Sequence, residues 1–519
     1  MMTLHSWTFL FCFLPSSLLL FFSLVANRHS ILALGALVAI SLVFASWQNA
    51  GDALLILCSA LFNYVIGSWI LGRSAPHGGR RWAVTMGIAT NLGVLAYFKY
   101  LDYLVDNMNV VLGSSYDLPP PAFLPLGLSF LTFQQIAFLV DSFRGHVHRE
   151  GISFLQYLLF CCLFPKQVAG PILRHDEFFP QISSLFRAVN SVAILEGLMR
   201  FMLGFAEKVV VADSLSSYAA LAFDAALTGT PVGSVAAWGS VLAFTFQLYF
   251  DFVGYTDMAL GIARMFGFVL PENFMAPYRA TSAIDFWRRW HMTLSRFLRD
   301  YLYIPMGGNR KGFARQLVNI GVTMILGGLW HGASWTFMIW GGLHGLYLGA
   351  NHAWRKAGLP CSKYAGWLLT FLGVVYAWVW FRAETAMAAI RMTRAMIGLN
   401  GLWSEGVIHA LRHLEAPSPR YASLAAIFQV LDISVTVDRW TFFPVSMVLS
   451  EPVLHMFWLI VSGLVVWRLP TAQEWLQRGD SHQESMKWGR LGVMFASLFF
   501  LALLVSMQEI PHTFVYAQF

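Results

Sequence analysis

Charge is what this chain has least of. Of its 519 residues only 12% are Asp, Glu, Lys or Arg, while 57% are hydrophobic. A soluble domain carries about 25% charged residues, so this composition excludes an ordinary water-exposed fold and places the chain in lipid. The mean hydropathy of +0.59 agrees. The five cysteines (Cys12, Cys58, Cys161, Cys162 and Cys361) contain no CxxC pair and mostly sit inside apolar runs. They read as small packing residues. No Lys or Arg precedes Arg28, so the positive leader of a secretory signal is lacking. The apolar run Trp7–Ala26 also exceeds a signal core and reads as a retained first span. No internal repeat, low-complexity tract or separate soluble domain is visible, so 1–519 reads as one integral-membrane domain. The net charge of +7 is no nucleic-acid signal. Its basic residues gather in short loops between apolar runs, as orientation in a membrane requires.

Those runs recur along almost the whole chain and give roughly ten to twelve candidate spans, an all-α polytopic membrane protein. The first lie at about Trp7–Ala26, Ile31–Trp47 and Ala53–Leu71. Arg28 follows the first, Arg73, Arg80 and Arg81 follow the third, and the intervening QNAGD has no basic residue. By the positive-inside rule the N-terminus is outside and the basic loops are cytoplasmic. A fourth span, about Trp82 to Tyr97, ends in the aromatic stretch YFKYLDYLVDN, which reads as interfacial. The prolines of LPPPAFLPLG then break any helix. Next, FPKQVAGP sets Lys166 and Gln167 between two prolines. This predicts a discontinuous segment, tolerable at membrane depth only where it is buried in protein or lines a wet cavity.

From Glu196 to Asp213 the charges Arg200, Glu207 and Lys208 space an amphipathic helix, predicted to lie along the interface. The span from about Val235 carries Asp251 and Asp257 in apolar company. Both need partners, for which Arg264 or the Arg cluster at 288–299 is available. A structural ion pair and a catalytic role both fit. Beyond His331 the next span holds His344, and another covers Trp367–Phe381. The mixed segment Arg391–Trp440 reads as extramembrane, and Pro444–Trp467 and Leu491–Val505 close the pattern.

The chemistry concentrates between Asp285 and Trp335. In a helical reading of Asp285–Tyr303, Trp287, Trp290, Leu294, Phe297 and Tyr301 form an apolar stripe. Arg288, Arg289, His291, Arg296 and Arg299 cover much of the remainder. Such a basic face either grips anionic lipid head groups or binds an anionic donor such as a coenzyme A thioester, since Arg recognises phosphate through its donor fork. The apolar run that follows has one ionisable residue near its far end, His331. A span starting near Gln316 puts it roughly 22 Å along, past the middle of a hydrocarbon core about 30 Å thick. Ionisable residues at that depth usually line a pathway or a reaction site. Gly327, Gly328 and Gly332 around it let another chain or a substrate approach the backbone. A neutral His there can take a proton from an alcohol attacking a carbonyl. His291, a lone histidine beside the Arg cluster, fits a hydrogen-bonded structural residue better than a catalytic one. There is no HExxH and no GxSxG, so metal and Ser–His–Asp readings find little support.

Together LYFDFVGYTDMALG, PENFMAPY, DFWRRWHMTLSRFLRDYLYIPMGGNR and LGGLWHGASW resemble the membrane-bound O-acyltransferase family. FPKQVAGPILR and the C-terminal FVYAQF extend the likeness over nearly the full length, with a core at approximately 90–350. The resemblance implies a ring of about ten to twelve tilted helices, with interfacial helices, around a central tunnel. It implies an O-acyltransferase of a bacterial inner membrane. Acetyl would pass from a cytoplasmic donor toward an exopolysaccharide such as alginate. By the same likeness His331 is the essential residue and His291 the second signature position, with Asp251, Asn309 and Trp330 supporting. The implied donor is acetyl-CoA or another acetyl carrier, used as substrate rather than as a bound cofactor. The implied partners are periplasmic polysaccharide acetyltransferase subunits and membrane lipids. Sister enzymes acting on cellulose, peptidoglycan or teichoic acid fit nearly as well. A transporter with a His331/Asp251 proton relay is the remaining alternative.

Overall fold

The computed structural model describes residues 2–402, apart from 48, 73–75, 117, 120, 122–124 and 148–151, together with 451–477 and 485–506. Every regular element among the described residues is helical. After a π-helical turn at Phe9–Phe13 come α1 (Leu14–Ala26), α2 (Ser30–Ser46), α3 (Ala50–Leu71) and α4 (His77–Leu95). These match the first four apolar runs to within a few residues. A second π-turn, Ala96–Tyr100, leads into α5 (Leu101–Leu112), and α6 (Leu128–Arg144) and α7 (Phe154–Cys162) follow. Then come α8 (His175–Ala188), α9 (Ser191–Ala206), α10 (Asp213–Thr228) and α11 (Ser234–Met265). Short α12 (Ala283–Trp287) and α13 (Met292–Leu298) precede α14 (Phe313–His331), α15 (Trp335–Lys356), α16 (Lys363–Arg382) and α17 (Ala386–Met396). Helices Glu451–Arg468 and Ser485–Ser506 cover the described parts of the last two apolar runs. The predicted extramembrane segment is described only as far as residue 402; from 403 onward it lies outside the described residues.

Among the described residues, three helices are long and apolar enough to cross a membrane: Phe9–Ala26, Ala50–Leu71 and Lys363–Arg382. Shorter apolar helices occur at Ser30–Ser46, Phe154–Lys166, His455–Arg468 and Met494–Leu504. The ten to twelve full spans expected from the sequence exceed this count. Polar groups held inside the protein account for part of the difference. Helix α11, at 32 residues, reaches about 48 Å, yet Gln247, Asp251 and Asp257 dilute its apolar run.

Helix α11 is buried along nearly its whole length and forms the axis of the core. A helix apolar on all sides belongs in such a position. Helix α9 lies antiparallel against it through two glycine pairs. A Cβ on Gly197 would overlap the Gly261 carbonyl, and one on Gly204 would overlap the Gly254 carbonyl. The seven-residue spacing on both helices keeps one face of two turns free of side chains, so the backbones meet. Between the glycine pairs Arg200 reaches across, its Nη2 2.6 Å from Asp257 and 2.5 Å from Glu272. The stretch 196–213 is therefore packed in the core rather than laid along the interface: Lys208 is only 1% exposed.

The break at FPKQVAGP is present as expected. Phe164–Lys166 form a 3-10 turn between α7 and α8, and Phe164, Pro165 and Lys166 are all buried. The side-chain donors of Lys166 and Gln167 are met by protein acceptors. Lys166 donates to Gln134 Oε1 at 2.5 Å and to the Cys161 carbonyl at 3.1 Å. Gln167 donates to the carbonyls of Ser41 and Cys162. Irregular backbone survives here because neighbouring helices supply the partners that lipid cannot.

Candidate active site

His331 is the last residue of α14. The helix stops because Gly332 turns to an extended conformation (φ −163°, ψ 149°), and Ser334 then caps α15 by accepting from the Thr336 amide at 3.3 Å. The two helices form a tight hairpin. A Cβ on Gly328 would overlap the Phe337 carbonyl, and one on Gly332 the Phe337 ring. The close neighbour is backbone at Gly328, the Phe337 ring at Gly332 and the Leu298 side chain at Gly327. The turn buries His331, only 4% exposed, in a ring of aromatics. Trp330, Trp340 and Phe381 stand nearly edge-on to its imidazole at centroid distances of 4.9, 5.0 and 5.4 Å. The indole N–H groups of Trp330 and Trp340 are buried and meet no acceptor among the described residues.

His291 interrupts what the sequence suggested as one helix. It adopts a left-handed backbone (φ 41°, ψ 56°) between α12 and α13. This region costs a non-glycine residue about 1–3 kcal/mol and persists only where its surroundings impose it. Here Asn273 imposes it. The Asn273 carbonyl accepts from the Met292 amide at 2.9 Å, and its Oδ1 accepts from the Thr293 hydroxyl at 2.6 Å. The same Oδ1 lies 3.3 Å from His291 Nδ1. The apolar stripe is real despite the break, since Trp287, Trp290, Leu294 and Phe297 are all buried. Asn273 belongs to the quoted PENF stretch, but no spacing in the sequence pointed to its hold on His291.

The two histidines converge on Trp330. Its ring centroid lies 6.2 Å from that of His291 and 4.9 Å from that of His331. Phe130 packs on both Trp330 (5.4 Å) and His291 (6.2 Å). His344, in α15, joins the cluster from the far side of Trp340, at 4.8 Å. Its Nδ1 accepts from the indole N–H of Trp287 at 3.2 Å. An indole only donates, so neutral His344 carries its proton on Nε2.

A cavity of about 710 Å³ opens beside this cluster. Arg288, Arg296, Arg299 and Arg310 line it, along with Asn309 and Trp287. The basic face therefore surrounds a volume large enough for a sizeable anion rather than only a flat surface. Trp287 connects it to the histidines, its ring 6.0 Å from Trp340, which in turn touches His331. Arg289 is the exception. It points away and pairs with Asp285 at 2.8 Å. Arg296 is partly held by Glu177 at 2.5 Å, and Arg299 by Asp300 at 2.7 Å.

Asp251 is not part of this constellation. Its carboxylate lies 2.6 Å from the buried Lys208, which also binds Asp213 at 2.6 Å. Neither partner expected from the sequence is used: Arg264 pairs with Glu196 at 2.9 Å, Arg289 pairs with Asp285, and Arg288, Arg296 and Arg299 face the cavity. Asp257 is likewise engaged by Arg200.

A deep histidine ringed by aromatics, a second one turned toward it and an Arg-lined cavity alongside are parts suited to acyl transfer. The model of the membrane-bound O-acyltransferase family matches residues 42–389. This chain belongs to that family. The acyltransferase is 39% identical over 426 residues to the peptidoglycan O-acetyltransferase of Helicobacter pylori, covering 76% of this chain and 79% of that protein. It is 39% identical over 438 residues to the probable alginate O-acetylase AlgI of Azotobacter vinelandii (83% of this chain, 84% of that one). The corresponding Pseudomonas aeruginosa protein is 41% identical over 408 residues, covering 78% and 76%. The acyltransferase is accordingly a membrane protein.

Proposed function

We propose that this acyltransferase passes acetyl groups from a cytoplasmic donor across a bacterial inner membrane for O-acetylation of an exopolysaccharide, alginate being the first choice. The observation that carries the reading is the continuity from the Arg-lined cavity through Trp287 and Trp340 to His331. Arginines at the mouth suit a phosphate-bearing donor such as acetyl-CoA. The thioester end would lie toward the histidines. Neutral His331 then takes the proton of an attacking hydroxyl as its oxygen bonds to the acyl carbon. As the carbon–sulfur bond breaks, the leaving thiol carries that proton away. The free indole N–H groups of Trp330 and Trp340 are donors for the acyl oxygen as charge develops on it. His291, held by Asn273, orients the pair from the other side of Trp330. Periplasmic polysaccharide acetyltransferase subunits would receive the group.

Peptidoglycan is the second acceptor to consider, because the relative acting on it is as similar as the alginate relatives. A proton-relay transporter is disfavoured by Asp251, which is bound to Lys208 rather than aligned with His331. The test uses membranes carrying the full chain and its periplasmic partners, supplied with radiolabelled acetyl-CoA on the cytoplasmic side. Label should appear in purified alginate. Label in peptidoglycan alone would move the acceptor, and label in neither would overturn the reading.

A further inference from the structure

We propose that Lys99 is a positioning residue for the reaction at His331, fixing the end of α14 that presents the imidazole. The inference rests on His331 being the reacting group. A helix ends with about four carbonyls that lack an intrahelical donor, and burying them unpaired is costly. At the end of α14 three of these acceptors are met by side chains from one distant turn. The Lys99 ammonium donates to the Trp330 carbonyl at 2.7 Å and to the His331 carbonyl at 3.0 Å. The neighbouring Tyr100 hydroxyl donates to the Leu329 carbonyl at 2.9 Å. Both residues come from the π-helical turn Ala96–Tyr100, more than 200 positions earlier in the chain.

Three features set Lys99 apart from an ordinary helix cap. It binds the two residues that carry the site rather than the helix in general. Its ammonium also lies 5.8 Å from the centre of the Trp330 ring, the ring shared by both histidines. Finally, no carboxylate among the described residues lies within ion-pair distance of it, so its charge is directed at the carbonyl end of α14. A cation at a helix C-terminus is favoured by the helix dipole. The π-turn supplies the register: its wider winding sets Lys99 and Tyr100 side by side over the same helix end. In the sequence alone YFKY reads as an interfacial aromatic stretch, because nothing local reveals a partner in α14.

The experiment compares Lys99→Met, Lys99→Arg and Tyr100→Phe with His331→Ala, each as the full chain in membranes, with radiolabelled acetyl-CoA as probe. Lys99→Met should lower the maximal transfer rate at least tenfold. The acetyl-CoA concentration for half-maximal rate should stay within twofold, since the cavity arginines are untouched. Lys99→Arg, which keeps a cation and several donors, should recover to within about threefold of the parent. Tyr100→Phe, which removes a cap but no charge, should lose no more than threefold. Transfer by Lys99→Met within twofold of the parent would overturn the proposal, as would an Arg variant no better than the Met variant. If the Met variant does not accumulate, Lys99→Gln takes its place under the same limits. A transfer-competent His331→Ala would instead remove the premise. An inactive His331→Ala beside an unaffected Lys99→Met removes Lys99 alone.

Discussion

The carboxylate of Asp251 and the ammonium of Lys208 lie 2.6 Å apart, each only 1% exposed on its side chain. They join α11 to the π-helical turn Glu207–Ala212, with Asp213 as the second anion. A pair this deep is expensive to break from one side, because the remaining charge has no water to turn to. Asp251→Ala should therefore cost about 3 kcal/mol of stability, the lower end for such a loss, because Asp213 still faces Lys208. The check is the melting temperature of the detergent-purified protein. An unchanged melting temperature with lost acetyl transfer would return Asp251 to the reaction.

His331→Ala should abolish acetyl transfer while the protein still reaches the membrane at near-normal level. The ring lies at the end of α14 and packs against Trp330, Trp340 and Phe381, so its loss leaves the helix backbone intact. Immunoblotting of membranes beside the transfer assay reads both quantities. Normal transfer by this variant would exclude His331 from the mechanism.

The arginines divide by what they face. Arg288 lines the cavity, whereas Arg289 pairs with Asp285. Arg288→Lys should raise the acetyl-CoA concentration needed for half-maximal transfer by about tenfold, since a lost charge-assisted hydrogen bond is worth about 1.5–3 kcal/mol. Arg289→Lys should leave that concentration within twofold. Equal responses from the two variants would mean that the face counts charge at a lipid surface rather than reading a phosphate.

Asn273→Ala removes the Oδ1 that serves Thr293 and faces His291. The Thr293 hydroxyl then loses its acceptor, at about 1–3 kcal/mol, and the left-handed turn at His291 loses a side-chain support. Slower transfer together with a lower melting temperature is expected. His291→Gly relieves the backbone strain but removes the ring, so it should keep the fold and still slow transfer. A His291→Gly variant as fast as the parent would make that position structural only.

Gly204→Val should prevent accumulation of folded protein, because the new side chain would sit on the Gly254 carbonyl in the closest part of the α9–α11 contact. Overpacking in a core costs about 1–3 kcal/mol even where side chains can shift, and here the obstacle is backbone. Gly93→Val, in α4 where a Cβ meets nothing within 4 Å, is the matched control. Similar protein levels for the two variants would contradict this account of the packing.

What the sequence determined by itself was environment, family and the identity of the central residues. Scarce charge and long apolar runs require lipid whatever the topology, because unpaired charges are too costly there. The depth of His331 in an apolar run was legible from residue type, whereas His291 stood out only through the family likeness carried by WRRWH and LWHG. Even the apolar stripe from Trp287 to Phe297 was legible, since side-chain period survives a local break in the backbone. Partnerships were not legible. That Asp251 belongs to Lys208, that Arg289 turns away from the cavity, and that Asn273 holds His291 depend on helices separated in the chain and brought together by packing. The same is true of Lys99, whose two acceptors lie 231 and 232 residues away. Burial makes hydrogen bonds and charge pairs obligatory, but only the tertiary structure decides which group meets the obligation.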